Sequence, residues 1–279
     1  MPDAIEAMEA AFGSDRQVPL RQLLGGSLFM PGRVGHTTGV KVVSIEPGNP
    51  VGVVVVFDDD GSPLGMVDGS TLTSIRTGAA SGLATRFLAP AEARTMAMLG
   101  AGAMAFDQVE AVRAVRPIER VIVWSRSRAR AAALADRVGG EVELDAGTAV
   151  AAADIVSCAT PSLEPLFSPS AVREGTHFNA VGAYTSEMVE LPGALLSDAF
   201  VVVDDLDAAA AEAGDLMRIG RRPDATLTDL LEGSVAPAGT TVFKSVGLAS
   251  QDVAGAVRAL RTAERLGIGA EFGSGRPGR

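Results

Sequence analysis

Apolar and polar positions follow two rhythms along this chain, and the change between them divides it. Residues 4–12 carry helical spacing, while 40–45, 51–58 and 63–67 are short β-branched runs that predict strands. Asp58-Asp59-Asp60-Gly61, between the last two, predicts a solvated hairpin turn rather than a cation site. A long helix follows at 72–88, with Gly78, Ala79, Ala80 and Gly82 on its packing side and Pro90 as its stop. From Thr95 onward strand and helix alternate, with strands at 96–99, 121–124, 155–158, 178–181 and 200–204. Such alternation predicts an α/β protein with a parallel, doubly wound sheet. It ends near Val242, a last helix is expected at 253–266, and residues 272–279 are expected to be a loose Gly/Arg-rich tail. The expected layout is a doubly wound domain at 94–243, inserted between the segments 1–93 and 244–279 of a discontinuous α+β domain.

The first strand of the second rhythm ends in Gly100-Ala101-Gly102-Ala103-Met104-Ala105, and 106–115 then reads as helix. In a strand–turn–helix of this kind the first glycine makes the turn and the second admits a pyrophosphate. A small third residue lets helix and strand pack. The helix N-terminus turns unpaired N–H groups toward the phosphates. Among 32 glycines a Gly-x-Gly-x-x-Ala match is weak alone, but this context marks a Rossmann dinucleotide site. The next strand closes at Val123-Trp124 and runs into Ser125-Arg126-Ser127-Arg128, with no carboxylate for a ribose 2′-hydroxyl. Ser125, Arg126 and Ser127 offer donors and charge suited to a 2′-phosphate, so NADP(H) is expected ahead of NAD(H).

Composition narrows the partners. The 279 residues carry 24 basic and 34 acidic side chains, a net charge of −10 that disfavours nucleic acid and anionic membranes. Cys158 is the only cysteine and lies in an apolar strand, so it is expected as an inert core thiol. His36 and His177 stand apart from it and from each other, so no metal site is expected. With no signal peptide and no apolar run of spanning length, the expected setting is cytoplasmic.

Several blocks together resemble the ornithine cyclodeaminase/μ-crystallin family. They are Pro19-Leu20-Arg21, Gly39-Val40-Lys41-Val42-Val43, Pro47-Gly48-Asn49-Pro50, the Arg76-Thr77-Gly78-Ala79-Ala80 helix, the Gly100 turn and Phe243-Lys244-Ser245-Val246-Gly247. The resemblance runs from about residue 4 to 270. It implies a homodimer whose chain ends build a substrate-binding and dimerisation domain around the Rossmann domain. It also implies that Arg21, Lys41 and Arg76 hold the carboxylate of an α-amino or α-imino acid, with Val246 beside the substrate. Gly100, Gly102, Ala103 and Met104 then match the phosphate loop, and Thr77, Thr160, Val181-Gly182-Ala183 and Ser245 match further cofactor contacts.

One departure from the family pattern bears on the chemistry. Cyclodeaminases carry an acid just after the Gly-Gly or Gly-Ala pair that follows the fifth Rossmann strand, and this chain has Tyr184 there. A free phenol titrates at about 10 and is a poor base at neutral pH, though it can donate. Met188 also replaces a lysine typical of cyclodeaminases, and Glu190 is expected to be structural. The expectation is therefore NAD(P)H-dependent reduction of a C=N bond beside a carboxylate, as in Δ1-pyrroline-2-carboxylate or Δ1-piperideine-2-carboxylate. Lys41, Arg76 and Tyr184 are the candidate catalytic residues. Amino-acid dehydrogenation, ornithine cyclisation with recycled cofactor, and a non-catalytic ligand-binding dimer are the alternatives.

Overall fold

The computed structural model describes residues 1–45 and 51–271, so Pro47-Gly48-Asn49-Pro50 and the tail at 272–279 lie outside the described residues. Helix α1 (Pro2–Phe12) buries Ile5, Met8, Ala11 and Phe12 at helical spacing. Six antiparallel strands follow: β1 (Arg16–Gln17), β2 (Gln22–Leu24), β3 (Ser27–Val34), β4 (Thr37–Ser44), β5 (Gly52–Phe57) and β6 (Pro63–Asp68). They form one sheet in the order β1-β3-β4-β5-β6, with β2 also on β3. Strand β3 is absent from the sequence expectation because Pro31 and Gly32 sit in its middle. Proline is tolerated here because β1 pairs only with Arg33 and Val34 and β2 only with residues up to Phe29. Pro31 falls in the gap, where β3 is an edge. Asp68 then caps α2 (Gly69–Leu88) by accepting from the Thr71 amide at 2.7 Å.

The second unit runs through β7 (Thr95–Leu99), α3 (Ala105–Arg113), β8 (Arg120–Trp124), α4 (Arg128–Val138), β9 (Glu141–Val142), α5 (Ala146–Ala152), β10 (Ile155–Cys158) and β11 (His177–Ala180). It continues through α6 (Gly193–Asp198), β12 (Phe200–Val203), α7 (Leu206–Glu212), α8 (Gly214–Met217), β13 (Ala225–Thr226), α9 (Leu227–Leu231) and β14 (Thr241–Lys244). The strands are all parallel, in the order β13-β12-β14-β11-β10-β7-β8-β9. Residues 241–244, where the sequence pattern shows only alternation ending, are a fully buried strand between β11 and β12. Strand order reverses between β7 and β10, the position at which doubly wound sheets bind ligands beyond the carboxyl ends of their strands.

The last helix, α10 (Ala249–Leu266), starts one turn earlier than its apolar spacing indicates and lies on the inner face of the antiparallel sheet. Glycines make that approach possible. A Cβ on Gly32 would come within 2.8 Å of Ala249, one on Gly39 within 2.9 Å of Val253, and one on Gly65 within 2.6 Å of Leu260. Helix α2 does the same against the parallel unit, where a Cβ on Gly78 would meet the Asp107 carbonyl at 2.5 Å. The small-residue side of α2 thus seats it on α3, while its other flank meets α10.

Candidate active site

The turns at the carboxyl edge of the parallel sheet divide into an open group and a closed one. Gly100 has φ +113°, and its amide donates to the Trp124 carbonyl at 2.8 Å. A Cβ there would lie 2.7 Å from the Ala159 carbonyl oxygen, so the reversal point requires glycine. Gly102 and Ala103 are exposed, nothing crowds Gly102, and α3 begins behind Met104 without a side-chain cap. Uncapped amides beside an open glycine fit a pyrophosphate. At the end of β8, Ser127 caps α4 through the Arg130 amide and its own amide donates to Ser125 Oγ at 3.3 Å. Arg126 is exposed and has no polar partner among the described residues.

In the closed group the protein takes up its own donors. Glu190 Oε1 accepts from the Thr160 amide at 2.7 Å and hydroxyl at 2.9 Å, and Oε2 accepts from the Gly182 and Ala183 amides at 2.8 and 3.0 Å. The Val181 amide donates to the Cys158 carbonyl. Asp204 accepts from Ser245 Oγ and from the Val246 and Gly247 amides at 2.8, 3.0 and 2.8 Å. Asp215 holds the Glu190 and Leu191 amides and pairs with Lys244 Nζ at 2.8 Å, while Lys244 donates to the Ala183 carbonyl. Burial pushes the carboxyls of Glu190 and Asp204 up, and Lys244 opposes this at Glu190. The polar groups of Thr160, Gly182, Ala183 and Ser245 are therefore engaged by the scaffold. Thr77 is buried in α2, with its carbonyl accepting from Ser81.

Next to this edge lie three cations. Lys41 on β4 and Arg76 on α2 are both buried and share one oxygen of Asp252 on α10. Lys41 Nζ reaches Asp252 Oδ1 at 3.3 Å and Arg76 Nε reaches it at 3.1 Å. Lys41 also donates to Thr73 Oγ1 at 2.5 Å, and Arg76 Nη1 to Gln251 Oε1. Gly247, at φ +83°, packs against the outer Nη1/Nη2 edge of the Arg76 guanidinium, where a Cβ would come within 2.8 Å of Nη1 and 2.9 Å of Nη2. Arg21 is paired instead with Glu212 of α7, and donates to the carbonyls of Tyr184 at 2.8 Å and Val246 at 3.5 Å. Burial brings the Lys41 ammonium down to about 8; Asp252 resists this, and the charges of Arg76 and Arg21 assist it. An ammonium so placed is protonated at neutral pH yet close to releasing its proton.

The sequence profile of the ornithine cyclodeaminase/mu-crystallin family matches residues 17–264. The chain belongs to that family. A Δ1-pyrroline-2-carboxylate reductase of Bacillus cereus is 37% identical over 222 residues, 73% of this chain and 68% of that protein. The curated relatives are matched over 62–68% of their own length. Among solved structures, Thermococcus litoralis Δ1-pyrroline-2-carboxylate reductase, in complex with NADH and L-proline, superposes with a TM-score of 0.90 at 30% identity, covering 96% of this chain and 95% of that one. An archaeal alanine dehydrogenase dimer with bound NAD gives a TM-score of 0.90 at 27% identity, covering 98% and 94%.

Within this family fold the structure brings Arg21, Lys41 and Arg76 to one site, together with the Val246 carbonyl. Tyr184 stands at its rim, 45% exposed, with its ring 5.9 Å from the Arg21 guanidinium and its hydroxyl unpartnered among the described residues. Sequence reasoning did not find Asp252, Gln251, Glu212, Asp204 or Asp215. One signal was present: Lys41 and Lys244 are the only lysines among 24 basic residues, both in apolar strands, and both are buried.

Proposed function

We propose that this chain binds a nicotinamide dinucleotide and reduces the C=N bond of a small α-imino acid to the amino acid. The observation that carries the reading is the buried Lys41–Asp252–Arg76 cluster, packed through Gly247 against the turn that follows β14. It places a guanidinium edge and an ammonium side by side, which suits a carboxylate with a nitrogen beside it. Held at the Gly100–Met104 turn, a dihydronicotinamide dinucleotide would supply the hydride to the imine carbon. Arg76 and Arg21 bind the carboxylate, Arg21 exchanging Glu212 for it, and Lys41 delivers the proton to the imine nitrogen as the C=N bond becomes C–N–H. Holding carbon and donor in one geometry supplies much of the acceleration.

Residues 94–243 hold the cofactor in this reading, and 1–93 with 244–279 hold the substrate and form the dimer. NADP(H) is preferred through Arg126, which no protein carboxylate engages among the described residues. The dimer face is the outer side of the antiparallel sheet, where Val40, Val42, Val53 and Val55 are only half-buried and Met66 is 56% exposed. An apolar face of this kind fits a second copy of the same chain.

A panel assay tests the function. Cyclic imino acids, pyruvate with ammonia, and ornithine are each offered with NADPH, NADH or NAD. Stoichiometric NADPH oxidation with Δ1-pyrroline-2-carboxylate or Δ1-piperideine-2-carboxylate is expected, with no ammonia released from ornithine. Cofactor-neutral conversion of ornithine to proline would overturn the reading. Turnover confined to pyruvate with ammonia would replace it by open-chain dehydrogenation.

A further inference from the structure

Asp252 is 1% exposed, and one of its oxygens receives two cations from two different elements. Lys41 is then nearly used up, and Arg76 is committed along one side. Lys41 gives one hydrogen to Asp252 and one to Thr73 Oγ1. Thr73 can only accept there, because its own hydrogen goes to the Gly69 carbonyl at 2.5 Å. One N–H of Lys41 is left. Arg76 commits Nε to Asp252 and Nη1 to Gln251, which leaves the Nη2 edge without an acceptor among the described residues.

We propose that Asp252 is the positioning residue of this site: its shared oxygen locks Lys41 and Arg76 together so that the remaining N–H of Lys41 and the uncommitted Nη hydrogens of Arg76 face the substrate. It also supplies the counter-charge that keeps the Lys41 ammonium intact. This rests on the reading of the cluster as the imino-acid site. The charged groups that face Lys41 are Asp252 from α10, Arg76 from α2 and Arg21 from the segment between β1 and β2. Of these only Asp252 favours the proton, since both arginines and burial act against it. Without that carboxylate Lys41 loses its proton at lower pH, and the donor is neutral where the reaction needs it charged.

The test compares wild type with Asp252→Asn and Asp252→Glu. The pH profile of kcat/KM is followed with Δ1-pyrroline-2-carboxylate and saturating NADPH. Because the chain has only two lysines, protein labelled with 13C at lysine Cε yields two resonances, and Lys41 can be titrated directly without turnover. In wild type both the falling limb of activity and the Lys41 titration are expected at about 8. In Asp252→Asn both should move down by a pH unit or more, and kcat/KM at pH 8 should fall at least about fivefold. NADPH affinity, followed by the fluorescence of Trp124, the sole tryptophan, should stay within about threefold. Asp252→Glu keeps the charge but displaces the oxygen, so it should leave the limb in place and lower kcat/KM at least about tenfold. A uniform loss in Asp252→Asn with an unmoved limb and an unmoved Lys41 resonance overturns the proposal, as does full activity in Asp252→Glu. If wild type reduces no imino acid, the functional reading fails. The lysine titration still decides whether Asp252 holds the proton on Lys41.

Discussion

Glu190 and Asp252 are both fully buried carboxylates near the carboxyl edge of the parallel sheet, and they are used in opposite ways. Glu190 receives four donors from two turns, two on each oxygen. Asp252 offers one oxygen to two cations, while its second oxygen has no partner and each cation keeps a donor free. Buried polar groups are ordinarily satisfied, so leftover donors concentrated in one place indicate a ligand, whereas a saturated carboxylate indicates scaffold. Proximity to that edge does not separate the two. The count of unclaimed donors does.

The largest effect that follows is at the saturated site. Glu190→Gln replaces acceptors by an amide that donates, so two of the four turn donors lose their partner in a dry environment. The unfolding free energy measured in denaturant should fall by roughly 3–5 kcal/mol, the range for uncovering a buried charged network. A variant within about 1 kcal/mol of wild type would remove Glu190 from the scaffold and undo the comparison. Lys41→Met probes the other side. It should lower kcat/KM on the order of a hundredfold while stability changes by no more than about 1 kcal/mol, because Arg76 still neutralises Asp252. A fully active Lys41→Met protein would break the carboxylate-and-donor account.

His177 sharpens the contrast from the scaffold side through pH. It is completely buried in the parallel sheet, its ring nitrogens paired with Thr241 Oγ1 at 2.9 Å and Asn179 Oδ1 at 3.2 Å. Burial, the largest influence, brings its imidazole down to about 3. The unfolded chain protonates near 6.5, so it binds the extra proton throughout the window from 6.5 down to about 3. Stability contributed by the neutral ring is therefore complete above 6.5 and is lost as the pH falls. By pH 4.5 the loss is roughly 2–3 kcal/mol. His177→Gln should flatten that part of the unfolding curve, and an unchanged acid slope would show that the carboxyls alone set it.

The two regions also differ in how far they could be read from sequence, for a physical reason. The Gly100 turn is legible because its requirement is local: a tight strand-to-helix reversal needs glycine whatever surrounds it. The parallel strands are legible because burial on both faces leaves continuous apolar runs. Strand β3 was hidden because its proline is permitted only by a gap between two other strands. Asp252 was hidden for the same kind of reason. Its partners are 211 and 176 residues away, and it sits in the first turn of α10, ahead of the apolar spacing that begins at Val253. Arg21, Lys41 and Arg76 were placed by family resemblance, not by pattern.

Arg126 gives a smaller effect and bears on the open phosphate edge. Losing a charge-assisted contact costs about 1.5–3 kcal/mol, so Arg126→Ala should weaken NADPH binding roughly ten- to a hundredfold. NADH affinity should hold within a few-fold. Equal loss for both cofactors would remove the 2′-phosphate from the argument and leave Arg126 as a solvated helix-start residue.

Tyr184 should show the least effect. The family resemblance puts it where cyclodeaminases carry an acid, which invites a role in proton transfer. Its backbone carbonyl accepts from Arg21 and its ring lies beside that guanidinium, so the residue supports the clamp through groups that do not titrate. The hydroxyl makes no hydrogen bond among the described residues and the side chain is 45% exposed. Tyr184→Phe keeps the carbonyl and the ring and removes only the hydroxyl. It should therefore leave kcat/KM within about threefold of wild type and the falling pH limb where Lys41 puts it. A loss of tenfold or more, with a displaced limb, would transfer the donor role from Lys41 to the phenol. The contrast between saturated and unsaturated groups would then have pointed to the wrong free donor, because the hydroxyl of Tyr184 is unclaimed as well.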